Sequence, residues 1–125
     1  MQQHVGLIKN FTADGIIEKR RLVTFGSEEG HIAKAGVGDV LLGSTAIRGA
    51  EKAGARVDVC LDLIREIEFG GAIAYGDPIT SDAQGRAIKA APAADSSVPI
   101  IGRAMEAGKL GTIGRVLFQP GILHG

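Results

Sequence analysis

Three histidines, one cysteine and a scatter of carboxylates are the groups from which this 125-residue chain could assemble reactive chemistry. His4, His31 and His124 stand far apart, and none lies two or four positions from another histidine or from a cysteine. No local metal-ligand pair results, and no metal is expected. His31, Asp39 and Ser44 fall within one short stretch and are the residue types of a hydrolytic triad. Yet Leu42-Gly43-Ser44-Thr45-Ala46 lacks the Gly-x-Ser-x-Gly turn that exposes a nucleophile, so chance grouping is the simpler account. Cys60 has only Arg56 nearby to favour a thiolate, and a lone cysteine excludes an internal disulfide. Glu66 and Glu68 lie two apart on one strand face. An acid–base pair there would need a cleft around it, and a solvated strand face has the same spacing. Gly36-Val37-Gly38-Asp39 has neither the Gly-Lys-Ser/Thr end of a phosphate loop nor the spacing of a dinucleotide loop, and reads as a β-turn. The chain is therefore read as a non-enzyme with no cofactor.

Composition narrows the partners. Lys plus Arg and Asp plus Glu each total 14, giving no net charge. Nucleic-acid binders need cations to neutralise phosphates, and the only basic cluster is Lys19-Arg20-Arg21, read as a solvated strand edge. The few rings (Phe11, Phe25, Phe69, Tyr75, Phe118) fall mostly at core positions rather than among basic residues. An oligonucleotide-binding barrel is thus disfavoured, and no direct nucleic-acid contact is expected. The chain starts without a charged segment followed by a long apolar run, as a signal peptide would have. No stretch approaches the ~20 apolar residues of a membrane span, so cytoplasmic synthesis without membrane contact is expected.

These side chains would be carried on short strands. The 19 glycines are spread along the whole chain, and helix interiors disfavour glycine by about 1 kcal/mol each. From 57 to 69 the odd positions read Val57, Val59, Leu61, Leu63, Arg65, Ile67 and Phe69, while the even ones are mostly polar. That period of two marks a strand with one dry and one wet face, with a bend near Asp62 to Arg65 because so long a strand is unusual. Cys60 falls on the wet face. Further strands are expected over Ile16–Phe25, Val37–Leu42, Val98–Met105 and Thr112–Phe118, the last stopped by Pro120-Gly121, with a loop from 44 to 55. Gly76-Asp77-Pro78 and Ser81-Asp82-Ala83-Gln84-Gly85 supply the bent conformations of a hairpin. Strands separated by turns every eight to twelve residues predict an all-β sandwich or barrel. No internal repeat is read. Residues 1–15 are taken as an N-terminal arm or edge strand and 16–125 as a single β domain.

The run from Phe69 to Ala91 contains Gly76-Asp77-Pro78-Ile79-Thr80-Ser81-Asp82-Ala83-Gln84-Gly85-Arg86. The close contains Ile101-Gly102-Arg103-Ala104-Met105-Glu106 and Val116-Leu117-Phe118-Gln119-Pro120-Gly121. These resemble, in order and spacing, the head decoration (capsid cement) proteins of tailed bacteriophages, and the similarity spans residues 35 to 121. The resemblance implies a small β-barrel or β-tulip domain that forms a homotrimer. It further implies binding to the major capsid protein on the outer face of an expanded head, stabilising the shell of a virion assembled in the bacterial cytoplasm. An arm carrying Val5, Leu7, Ile8 and Phe11 would add a strand to the shell. Gly76, Asp77, Pro78, Asp82 and Gly85 would be structural turn residues, and the family has no catalytic residues to carry over. A small β-clip-type ligand-binding or carbohydrate-processing domain is the second expectation.

Overall fold

A computed structural model describes residues 6–125. Among them every regular element is a strand: β1 (Ile8–Ala13), β2 (Leu22–Phe25), β3 (His31–Lys34), β4 (Gly43–Thr45), β5 (Arg56–Cys60), β6 (Ile64–Glu68), β7 (Pro78–Ser81), β8 (Ala87–Lys89), β9 (Ser97–Ala104) and β10 (Ile113–His124). The all-β class is as the glycine distribution and the two-residue periodicity require. The first five strands close into a barrel in the order β1-β3-β2-β4-β5. The second five form a sheet in the order β6-β10-β9-β7-β8. A single parallel bridge between Phe69 and Ala87 joins the outer ends of that sheet.

The second half repeats the first, contrary to the reading of an unrepeated chain. In the first half Ile8 pairs with Cys60, Asn10 with Asp58 and Thr12 with Arg56; in the second, Ile64 pairs with Leu117, Glu66 with Arg115 and Glu68 with Ile113. Val23–Lys34 and Phe25–Ile32 recur as Ile79–Lys89 and Ser81–Ala87. The parallel pair Ala13–Ile32 recurs as the bridge Phe69–Ala87, and the isolated bridge Ile17–Ala50 recurs as Ile73–Gly108. Left-handed glycines stand at matching turns, Gly30 with Gly85 and Gly54 with Gly111. What recurs is backbone register, and few side chains match.

Packing compensates for that divergence. The first barrel is filled by Ala13, Ile17, Val23, Ile32, Ala50, Val57 and Val59. At the places equivalent to Ala13, Ala50 and Val57 the second half has Phe69, Gly108 and Gly114. A Cβ built on Gly108 would fall 2.7 Å from the Phe69 ring, and one on Gly114 closer still. One large ring therefore occupies space that three smaller side chains share in the first barrel. The cluster around Phe69 also takes Leu22, Ala35 and Leu41 from the first half, so the two repeats share apolar packing.

Several expectations are corrected. Residues 8–13 are not an arm: β1 is paired on both sides, antiparallel to β5 and parallel to β3. Val37–Leu42 is not a buried strand. Gly36 N donates to the Asp39 carboxylate, turning the chain, and Val37 and Val40 are exposed. The strand comes one step later, at β4. The long strand from 57 to 69 is two, divided at Leu63, whose φ of 67° is left-handed; the expected bend is the junction between repeats. Cys60 is buried, 3% exposed, because the outer face of the first barrel, which it occupies, is covered where the chain crosses to the second. Ile16–Phe25 is strand only from Leu22. Pro120 does not stop β10, which runs on to His124 through an irregularity between Phe118 and Gly121, where a missing N–H is tolerated.

Candidate functional site

The groups richest in charge gather where the two repeats meet. Leu22 N donates to Gly85 O at 2.7 Å and Glu68 N to Arg20 O at 3.0 Å, tying the start of β2 to the second half. Around these bonds Arg21 donates to the Gln84 carbonyl at 2.8 Å and to the Glu68 carboxylate at 3.2 Å, and Arg20 pairs with Glu66 at 3.7 Å. The basic cluster is thus only partly a solvated edge: Lys19 is exposed, while Arg20 and Arg21 are half-buried in the seam. Glu66 and Glu68 are their counter-charges rather than a carboxylate pair. Lys34 adds an ion pair to Glu18 at 2.9 Å, whose carboxyl is held below its ordinary value, chiefly by that hydrogen bond.

Beside the seam lies a cleft of about 180 Å³ lined by Arg20, Ser44, Ile47, Cys60, Ile64 and Arg65, among others. Register explains its floor. Ser44 pairs with both Leu22 and Cys60, so the three side chains share the outer face of the first barrel. The Ser44 hydroxyl is fully buried and meets no hydrogen-bond partner. Burial pushes the Cys60 thiol up from its ordinary value, keeping it neutral. Arg65 is anchored to the Asp62 carbonyl at 2.7 Å and to its carboxylate at 3.4 Å.

His31, Asp39 and Ser44 do not converge in the manner of a triad. His31 sits between Asp14, 2.7 Å from Nδ1, and Glu28, 3.1 Å from Nε2; Asp39 caps its own turn; Ser44 is fully buried on β4. The His31 hydrogen bond, helped by the Ser27 backbone N–H, holds the Asp14 carboxyl below its ordinary value. This clasp has a counterpart in the second repeat, with the acid on the other strand. Asp82 accepts from Gln84 N at 2.8 Å and from Arg86 N and Nε at 2.9 Å. A Cβ on Gly26 would meet Asp14, and one on Gly70 would meet Asp82, so each repeat has one carboxylate and one glycine in these two places. His124 lies on β10 opposite Ser97, and His4 lies outside the described residues. Among the described residues no group of three or more His, Cys, Asp or Glu is placed to hold a metal ion.

Of the arm residues, Val5 lies outside the described residues. Leu7 and Ile8 are exposed, at 58% and 45%, while Phe11 packs against the first barrel's core. Of the turn residues, Gly76 and Gly85 have left-handed φ of 86° and 74°. Asp77 accepts from Ala74 N at 2.8 Å, and Pro78 opens β7. The inter-repeat seam was not visible in the sequence; the available signal was the placement of arginines and glutamates at matching charge.

No protein-family model matches this sequence, and no curated protein matches it. Among solved structures it is similar to the crystal structure of the head fiber gp8.5 N base in bacteriophage phi29, with a TM-score of 0.71 and 16% identity. The likeness covers 90% of this chain and 93% of that one, and so spans both repeats. At this identity it is a likeness of fold.

Proposed function

We propose that this chain is a structural protein of a phage head: it binds the outer surface of the expanded shell as a homotrimer, contacts the major capsid protein and stabilises the shell, with no catalytic role. The observation that carries the reading is the fold likeness, over both repeats, to the base of a head fiber. The resemblance of the 69–91 and 100–121 segments to capsid cement proteins points the same way. Three copies of a weak contact engaged together bind far more tightly than one, without a large interface per copy. Leu7 and Ile8, exposed at the open end of β1, supply apolar area for such a contact. Deleting residues 1–12 would remove a barrel strand, so a surface substitution is the sound test. The wild-type chain should sediment at three times its 12.9 kDa mass and co-purify with expanded heads. Leu7→Asp should keep the fold and lower head occupancy by at least about tenfold, as loss of an interface anchor does. A monomer that leaves expanded heads bare overturns the proposal.

A further inference from the structure

We propose that copies of this chain join by strand addition, an open edge of β1 on one copy pairing with an open edge of β10 on the next. The inference rests on the homotrimer of the proposed function and names its contact. The phase of the ladders shows both edges. Bonds in an antiparallel pair fall at every second residue, and the residues between aim their N–H and C=O to the other side. Leu61 N donates to Leu7 O and Ala13 N to Ala55 O, so the odd residues of β1 face β5. The even residues face away from it. There Thr12 N finds Gly30 O and Asp14 N finds Ile32 O, but β3 begins only opposite Thr12. Among the described residues, no backbone group pairs with the outward N–H and C=O of Ile8 and Asn10, both exposed.

On β10, pairing with β6 ends at Leu117, and Phe118 N makes one last bond to Leu63 O, where the chain turns away. The strand runs on to His124 beside β9 alone, an extension that its counterpart β5 lacks. Gly125 N donates to Ser96 O. In that register Gly121 and Leu123 face β9, while Ile122 and His124 turn their N–H and C=O outward. Both are exposed, and among the described residues no backbone group pairs with them on that side. The far side of the same ribbon is shut. Pro99 has no N–H to offer, and the Thr80 hydroxyl occupies its carbonyl at 2.9 Å.

The two open edges match. An antiparallel register of Asn10 with Ile122 and Ile8 with His124 sets donor against acceptor throughout. Residues 116–125 contain no Lys, Arg, Asp or Glu, and β1 carries only Lys9, so no like charges oppose. Unlike edges meeting head to tail can close a ring of three, whereas one edge meeting itself gives a two-fold pair. Ring closure also uses up edges that would otherwise invite aggregation. The new bonds lie in the plane of the sheet, leaving the Leu7 side chain free for the shell.

Asn10→Pro and Ile122→Pro each remove one outward N–H and spare every ladder bond within the chain, so both should fold. Ile8→Pro and His124→Pro do the same one step along each edge and replace either variant that does not. By sedimentation the wild type should be a trimer and each variant a monomer, since a loss of about tenfold at one contact is compounded around the ring. Mixing the variants is the sharper test. The Asn10→Pro chain keeps its β10 edge and the Ile122→Pro chain its β1 edge, so at about 1 mM the two should form a one-to-one dimer and no trimer. Amide hydrogen exchange at Ile122 and His124 should be slow in the wild-type trimer and fast in the Asn10→Pro monomer. A trimer that survives both substitutions, a mixture that forms no dimer, dimers of Asn10→Pro alone, or slow exchange in the monomer overturns this contact and leaves the trimer standing. A monomeric wild type overturns the trimer itself.

Discussion

Phe69→Ala should be among the most damaging single changes in this chain, and two further substitutions should undo much of the harm. The ring is fully buried, and its truncation removes six carbons. At ~0.8 kcal/mol per buried methylene this approaches ~5 kcal/mol, and measured phenylalanine truncations run at about 3–5 kcal/mol. Around the ring Gly108 and Gly114 leave the room that Ala50 and Val57 fill beside Ala13 in the first barrel. The triple variant Phe69→Ala, Gly108→Ala, Gly114→Val transplants that trio and returns four of the six carbons. With imperfect repacking allowed for, it should recover about 2–3 kcal/mol. Urea unfolding followed by circular dichroism is the assay. With a slope of about 2 kcal/mol per M, Phe69→Ala should lower the midpoint by about 2 M and the triple variant should restore over 1 M of it. Gly114→Val alone should destabilise, since its side chain collides with the intact ring. A triple variant no more stable than Phe69→Ala would refute the claim that the repeats fill equivalent space by complementary volumes.

Thr45 is buried, with its hydroxyl accepting from Arg21 N at 3.0 Å and donating to Glu18 O at 2.8 Å. Thr45→Val should therefore cost about 2 kcal/mol by thermal or urea unfolding, and Thr45→Ser clearly less. The Asp14 carboxyl is held below its ordinary value of 3.8, first by the His31 hydrogen bond, so its stabilisation is fully present above that value and is lost as pH falls through the folded pKa. Asp14→Asn should therefore be less stable than wild type at neutral pH, with the difference shrinking on acidification below pH 3.8; a difference constant across that window would show that the clasp is not the cause.

The hairpin from Gly76 to Lys89 was legible because its determinants are local. Asp77 and Asp82 bond to backbone within their own turns, and glycine permits the left-handed corners, so adjacent residues suffice to specify it. The dry face of Val57, Val59, Ile67 and Phe69 was legible for a similar reason, since strand periodicity is a property of neighbours in the chain. The duplication was not legible. Ladder hydrogen bonds join backbone to backbone, so Ile8–Cys60 and Ile64–Leu117 occupy the same register without requiring the same side chains, and little identity survives to be read. Nor was the seam, where Arg20 and Arg21 find Glu66 and Glu68 only once both repeats have folded.

By itself the sequence determined the class of element and the places where the chain must turn, because φ/ψ preference and two-residue alternation act over a few residues. Only tertiary structure decided that residues 8–13 belong to a barrel rather than an arm, that Cys60 is covered, and that the Ser44 hydroxyl is buried without a partner. Each of those depends on which distant strand arrives alongside, and that is settled by closing the sheet and packing one repeat against the other.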